Sequence, residues 1–244
     1  MQRTLAQWLE YQLQIHPQTI AMGLQRVHEV AARMALLELP CPVISVAGTN
    51  GKGSTVAFIE AIAAASGLRT GAFTSPHLLR YNERIRIGGK QVADSDLIVA
   101  FEAIESARAD TLLTYFEFGT LAALYLFAKS NLDLAILEVG LGGRLDAVNI
   151  IGADVAVITT VDLDHQAYLG DDREAIGAEK AGIMRAGKPC ILGEADPPSS
   201  VLRHAYQNGV YCVRAYSDYL IDRFPAHWVW REPGFAVELP YPAL

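Results

Sequence analysis

The chain has 244 residues, 20 basic against 27 acidic side chains for a formal charge of −7, and 51 % hydrophobic residues. That balance excludes disorder, which needs low hydrophobicity and high charge. It argues against a sequence-blind nucleic-acid binder, because no basic excess exists to neutralise phosphates. The length suits one large α/β domain or two small ones. The longest apolar stretch, 119–128, is far short of the ~20 residues a membrane-spanning helix needs. No membrane association is expected, and the N-terminus lacks the apolar core and cleavage site of a signal peptide. Cys41, Cys190 and Cys212 are odd in number and far apart, so neither a disulfide framework nor a Cys-x-x-Cys metal site is read. A reducing cytoplasm is the expected compartment.

In chain order, Leu5, Trp8, Leu9 and Gln12 form one helical stripe. Leu24, Val27, His28, Ala31, Met34 and Leu37 form a second, with Pro17 and Gly23 between them. A β-branched run at 42–47 predicts a strand, followed by the glycine-rich segment 48–54. A helix is predicted from Ser54 to Ser66 with Gly67 as its C-cap. Next come a strand at 69–74, a hairpin at 84–92 turning on Gly88-Gly89, and a helix capped by Asp94. The segment 115–129 reads as a helix apolar nearly all round, and therefore buried. Strands follow at 132–139 and 154–159. Asp171 is the expected cap of a helix over 172–185, Gly187 ends it, and a strand returns at 188–192. After Pro197-Pro198 one short helix and several short strands are expected. Strands alternating with helices predict a doubly wound, mostly parallel α/β sheet with helices on both faces, plus a small β-rich extension.

In such sheets ligands bind outside the C-terminal strand ends. Three of these ends carry suggestive chemistry. Between a strand and a helix, Gly48-Thr49-Asn50-Gly51-Lys52-Gly53-Ser54 offers backbone N–H groups, a helix N-terminus and a lysine to a phosphate chain. The segment departs from the regular P-loop expression. Val46 occupies a glycine position, and Gly53 occupies the hydroxyl position after the lysine. The competing reading is an ordinary glycine-rich turn. Glu138, ending the strongest strand, is a hard oxygen ligand suited to Mg²⁺, or else a plain surface acid. The Gly140-x-Gly142 after it leads into Arg144-Leu145-Asp146 rather than an apolar helix, which weakens a dinucleotide-loop reading. Asp162, Asp164 and His165 follow the next strand as metal ligands or as a solvated acidic loop. Ser75-Pro76 has a hydroxyl at the right sheet end but is commonly a turn. Lys180, mid-helix, is ordinarily a solvated residue.

With these residues in view the chain resembles the dihydrofolate synthase/folylpolyglutamate synthase family of the Mur ligase superfamily. AGTNGKGS (47–54), TSPHLLRYNERIRI (74–87), TYFEFGTLAAL (114–124), LEVGLGGRLDAVN (137–149), LDHQAYLG (163–170) and EKAGI (179–183) follow the family's order after an opening MGLQRV (22–27). The resemblance implies a P-loop-containing fold of the Mur ligase central-domain type. It implies that Thr49, Asn50, Gly51, Lys52, Gly53 and Ser54 cradle ATP, and that Ser75, Glu138 and His165 hold one or two Mg²⁺. Lys180 resembles a lysine that the family carbamylates to N6-carboxylysine. Lys52, Lys180 and His165 are thereby the expected catalytic set. Met22, Gly23, Leu24, Thr114, Tyr115, Phe116 and Asp146 resemble the segments that hold a pteroate.

The implied reaction is ATP-driven joining of L-glutamate to dihydropteroate, and to folates, through an acyl phosphate. The tail matches less closely than the motifs. The family's smaller C-terminal domain is not expected within 1–244, so this chain is expected to be the N-terminal ATP-binding domain, incomplete at its end. A monomer is expected. The alternatives are an ATP- and pteroate-binding fragment without turnover, a nucleotide hydrolase or kinase, and a cell-wall Mur ligase. The last is disfavoured because too few residues precede Gly48 for the extra domain such ligases carry.

Overall fold

The computed structural model describes residues 3–18 and 20–241. Two helices precede the sheet, α1 at Leu5–Ile15 and α2 at Gln25–Arg33. Thr4 opens α1 with a capping box: its Oγ1 accepts from Gln7 N at 3.3 Å and Gln7 Oε1 accepts from Thr4 N at 2.9 Å. Trp8 and Gln12 on α1, and Val27, Val30 and Ala31 on α2, are buried. The second stripe is narrower than its spacing suggests. His28 is exposed, and the chain leaves the helix after Arg33 through Ala35 at φ 55°, so that Leu36 enters the core.

Eight strands form the main sheet: β1 Val43–Ala47, β2 Thr70–Phe73, β3 Ile85–Ile87, β4 Lys90–Gln91, β5 Leu134–Glu138, β6 Val155–Ile158, β7 Pro189–Leu192 and β8 Tyr211–Arg214. Their order is β4-β3-β2-β5-β1-β6-β7-β8. The six strands from β2 to β8 are parallel, and the short hairpin β3-β4 extends one edge antiparallel. Gly88 and Gly89 turn that hairpin at φ 57° and 73°, a left-handed pair that side-chain-bearing residues resist.

The central strands are apolar throughout because both faces are covered. Val46, Ala72, Ile136 and Val157 enter one cluster with Val56 of α3, Lys52–Ala65. Their neighbours Ala47, Phe73, Leu137 and Ile158 enter the larger cluster on the other face. That cluster also holds α1, α2, α4 (Asp94–Arg108), α5 (Tyr115–Ala128), α7 (Arg173–Ala181) and α8 (Ser199–Gln207). Between β6 and α7 lies the one-turn helix α6, Gln166–Leu169. The expected β-rich tail is a separate antiparallel sheet of β9 Leu220–Arg223, β10 His227–Glu232 and β11 Phe235–Pro240. Tyr219 stacks on Trp230 there at 4.3 Å.

Helix ends differ from the sequence reading at α3, α4 and α7; Asp94 is the first residue of α4 rather than its cap, since Ala93 holds the cap position and donates its N–H to Asp96 Oδ2 at 3.1 Å. The helix predicted from Ser54 begins at Lys52, because Gly51 adopts φ 83° and turns the strand directly into it. Asp172, not Asp171, caps α7, its Oδ1 accepting from Ala175 N at 2.7 Å. That helix ends at Ala181 rather than Arg185, where Gly182 packs against another loop.

Candidate active site

The sheet order reverses around β1. The chain steps from β1 to β2 on one side, then crosses from β5 to β6 on the other, which opens a crevice at the C-terminal ends of β1, β5 and β6. The loop after β1 fills it. Thr49 N donates to Thr160 O at 2.8 Å, Asn50 N to Thr160 Oγ1 at 3.1 Å, and Thr159 Oγ1 to Asn50 O at 2.6 Å. The Thr49 hydroxyl is tied to the backbone of Asp162. Gly48 has no room for a side chain, since a Cβ there would lie 1.8 Å from Thr159 Oγ1. The loop is therefore shaped by β6 rather than by its own glycines alone. Lys52 folds back onto it, its Nζ donating to Gly48 O at 2.8 Å and Thr49 O at 3.4 Å.

Glu138 ends β5 directly beside this loop. It is 4 % exposed, and its Oε2 accepts from Ser75 N at 3.3 Å and would lie 3.8 Å from a Cβ on Gly53. Burial raises its pKa above the usual carboxylate range, opposed by the Ser75 N–H and by the charges of Lys52, Arg86 and Arg84. Ser75 follows β2 and joins Pro76 through a cis peptide. His165 caps α6 at φ 48°, half exposed, with Nε2 3.6 Å from Asp164 Oδ2. A non-glycine residue in that region is uncommon, histidine being among the types that adopt it more readily.

Lys180 is not a solvated face residue. It is 2 % exposed on α7, with no hydrogen bond to its ammonium among the described residues. Burial, and secondarily the charge of Lys52, lower its pKa to about 8, while Asp164 acts the other way. The glycines after Glu138 serve packing against α7 rather than a dinucleotide turn. A Cβ on Gly143 would lie 2.7 Å from Glu179 O, and one on Gly182 would lie 2.4 Å from the Arg144 Cβ. Arg144 N donates to Glu179 O at 2.8 Å, and its guanidinium pairs with Glu179 at 2.6 Å.

Two cavities flank the loop. The first, of about 390 Å³, is lined by Met22, Gly23, Lys52, Ser75, Arg84, Thr114, Tyr115, Phe116, Asp146 and His165, among others. The second, of about 690 Å³, is more open and lined by Gly51, Gly53, Ser54, Ser75 and Glu138, with Glu60 and Arg86 behind. Ser75 belongs to both. The predicted pteroate-binding residues thus meet the predicted phosphate and metal residues on one rim. Leu24 is the exception. It precedes α2 and does not line the first cavity, whereas its neighbour Gly23 does, anchored by donation to Leu145 O at 3.3 Å. Thr49, Asn50 and Lys180 line neither cavity.

The wall at Thr114–Phe116 is rigid by construction. Thr114 Oγ1 accepts from Glu117 N at 3.2 Å, Glu117 Oε2 accepts from Thr114 N at 2.7 Å, and Arg26 pairs with Glu117 at 3.0 Å. Asp146 is buried, accepting from Leu141 N at 2.8 Å and Val148 N at 3.1 Å. Desolvation nevertheless pushes its pKa up to about 7. Sequence reading missed Arg84, Thr159, Arg26 and Glu117. Only Glu117 left a signal, as the second half of a Thr-x-x-Glu capping box.

The Mur ligase middle domain model matches residues 46–219. The dihydrofolate synthase/folylpolyglutamate synthase of Escherichia coli is 49% identical over 98% of this chain and 57% of its own length, and that of Haemophilus influenzae is 46% identical over 97% and 54%. Escherichia coli FolC in complex with DHPP and ADP superposes with a TM-score of 0.96 at 48% identity, over 98% of this chain and 58% of that one. A bifunctional folylpolyglutamate synthase/dihydrofolate synthase with Mn, AMPPNP and L-glutamate bound gives 0.89 at 47% identity, over 96% and 57%. The chain spans a little over half the length of these relatives. The family model covers most of the chain, and its span takes in the loop 48–54, Glu138, His165 and Lys180, so the chain belongs to the Mur ligase middle domain family.

Proposed function

We propose that this chain is the ATP-binding part of a ligase that joins L-glutamate to dihydropteroate, and to folates, through an acyl phosphate. The observation that carries the reading is the shared rim. A cavity walled by Thr114–Phe116 and Asp146 meets a second one walled by the phosphate loop and Glu138, at Ser75. A carboxylate held in the first lies beside a terminal phosphate held in the second. Its oxygen attacks the γ-phosphorus, the bond from that phosphorus to the β–γ bridging oxygen breaks, and ADP leaves. The α-amino group of glutamate then attacks the acyl carbon, phosphate departs, and the amine gives up a proton. No side-chain nucleophile is needed. Positioning and charge neutralisation carry the rate.

Lys52 leaves the loop carbonyls to meet the terminal phosphates. The loop N–H groups and the start of α3 take the remaining negative charge. The donor set suits a divalent cation. Glu138 is a buried carboxylate whose ionised form is disfavoured without one, and Ser75 and His165 add an oxygen and a nitrogen on the same rim. Among the described residues no three His, Cys, Asp or Glu side chains converge. Such a sparse set suits Mg²⁺, which takes few protein ligands and completes its shell with water and phosphate. When bound, the cation supplies charge neutralisation at the phosphate oxygens.

The buried, unpartnered Lys180 with its lowered pKa supports conversion to N6-carboxylysine. Its free amine adds to CO₂ and releases a proton, replacing a buried cation near Lys52 by an anion that attracts both Lys52 and a metal. The buried Asp146 carboxylate on the wall of the first cavity supports a role as acceptor for the paired N–H donors of a pterin ring.

The test is labelled-glutamate transfer onto dihydropteroate and onto tetrahydrofolate, using this chain and a version extended to the length of its relatives. Incorporation dependent on ATP, Mg²⁺ and the pteroate in the extended version supports the reading. ADP release that ignores dihydropteroate and glutamate would select a simple nucleotide hydrolase instead.

A further inference from the structure

Arg84 is a buried cation without a counter-ion. It is 9 % exposed, and among the described residues no carboxylate pairs with it. The other arginine as deeply buried, Arg108, is neutralised by Glu105 at 2.7 Å. The acids around Arg84 are otherwise engaged. Glu83 accepts from the backbone N–H groups of Leu78, Leu79 and Arg80, Glu117 holds Arg26 and Thr114, and Glu138 accepts from Ser75. The residue is buried as a whole and lines the first cavity, so a cation without a counter-ion faces that space, where an anionic ligand would complete it.

The side chain is held still. Arg84 O accepts from Thr74 N at 2.8 Å, tying it to the end of β2. Its Nε donates to His77 Nδ1 at 2.8 Å. The guanidinium carbon stands 5.5 Å from the ring centres of both Tyr81 and Tyr115, which themselves meet edge to face at 5.6 Å. With Nε spent on His77, the two terminal nitrogens have no acceptor among the described residues, and the residue lines the first cavity together with Lys52, Ser75 and His165. Its charge also reaches Glu138. A planar pair of donors beside an aromatic wall, at the phosphate end of the cavity, matches the carboxylate of an aryl acid.

We propose that Arg84 is the anchor for the reactive carboxylate of the pteroate substrate, fixing its oxygens toward the γ-phosphate and remaining bonded as the acyl phosphate forms. This rests on the ligase reading above. The role is that of a binding and positioning group, with proton transfer left to others.

The test compares the affinity of dihydropteroate with that of its neutral carboxamide, for the wild-type chain, Arg84→Gln and Arg84→Lys. A charge-assisted pair of this kind is expected to favour the acid by about tenfold or more in the wild type. Arg84→Gln is expected to reduce that preference to less than about threefold while leaving carboxamide affinity unchanged, and Arg84→Lys to retain part of it. Equal weakening of both ligands would mean that Arg84 merely supports the aromatic wall, and would overturn the proposal. So would an intact acid preference in Arg84→Gln, including one joined to a raised KM for glutamate in the extended enzyme, which would give the guanidinium to the incoming amino acid. A wild-type chain that binds neither ligand would instead contradict the ligase reading itself.

Discussion

Lys180 on α7 and Asp146 on the wall of the first cavity titrate where an ordinary lysine or aspartate would not, and each makes a different prediction. With a pKa of about 8, Lys180 is about one-tenth free amine at pH 7 and about nine-tenths at pH 9. Carbamate formation is therefore expected to quicken across that interval, read as a carbamate signal in ¹³C NMR with labelled bicarbonate. Lys180→Arg keeps the charge and is expected to abolish the signal; a signal surviving in that variant would place the modification elsewhere. Asp146, with its pKa raised to about 7, is still partly protonated at neutral pH. Its folded pKa exceeds the unfolded one, so its contribution to stability is fully present below about pH 4 and is lost as pH rises through about 7. N–H donors from a pterin favour the ionised form, so dihydropteroate binding at pH 7 is expected to release a fraction of a proton. Calorimetry in buffers of different ionisation enthalpy measures it, and Asp146→Asn is expected to remove it. At this scale the sequence was partly legible. Lys52 and Glu138 announce themselves by their strand-end positions. The burial of Lys180 does not, because an EKAGI helix exposes or buries its lysine according to what packs on it. Here the packing comes from the loop 140–149, which approaches α7 so closely that Gly143 and Gly182 admit no side chain.

At the scale of elements, the glycine-rich loop 48–54 is a joint product of β1 and β6. Thr159 and Thr160 supply hydroxyl and carbonyl groups that fix it, and Gly48 touches Thr159 where a side chain would overlap. Gly48→Ala is expected to destabilise the fold by about 1–3 kcal/mol through this overlap. For a chain of this size, that lowers Tm by about 2–4 °C for each kcal/mol. An unchanged melting temperature would show that the loop is not held by β6. The existence of nearly every helix and strand was readable, because apolar period and turn residues coincide for β5, α5 and the β3-β4 hairpin. Helix starts were less so. A left-handed Gly51 moves the start of α3 by two residues, and the choice between Asp171 and Asp172 as cap depends on which one reaches Ala175 N. The one-turn α6 and the turn Tyr81–Arg84 are too short to leave a periodic signal, yet they carry His165 and Arg84.

For the whole molecule, the organising feature is a reversal of strand order that collects residues far apart in sequence, from Met22 to His165, along one edge of the sheet. Pattern reading located the doubly wound sheet and hence this edge. It could not show that the edge carries two cavities meeting at Ser75, because that depends on how Phe116, Gly140 and Asp146 press together. A Cβ on Gly140 would lie 2.6 Å from the Phe116 ring and 3.2 Å from Asp146 Oδ2. Since the cavities are adjacent but distinct, nucleotide and pteroate are expected to bind together, with the Kd for ATP not raised by saturating dihydropteroate; mutual exclusion would mean that they compete for one space. In the proposed ligase a magnesium-bound triphosphate lies against Lys52, Ser75, Glu138 and His165. This placement is tested most directly by titrating ATP into the chain with and without Mg²⁺, for the wild type and for Glu138→Ala. The wild type is expected to bind ATP at least about tenfold more tightly with Mg²⁺, as loss of a charge-assisted contact of about 1.5–3 kcal/mol requires, and Glu138→Ala to lose that gain. A Glu138→Ala protein whose ATP affinity still rises with Mg²⁺ as the wild type's does would contradict it.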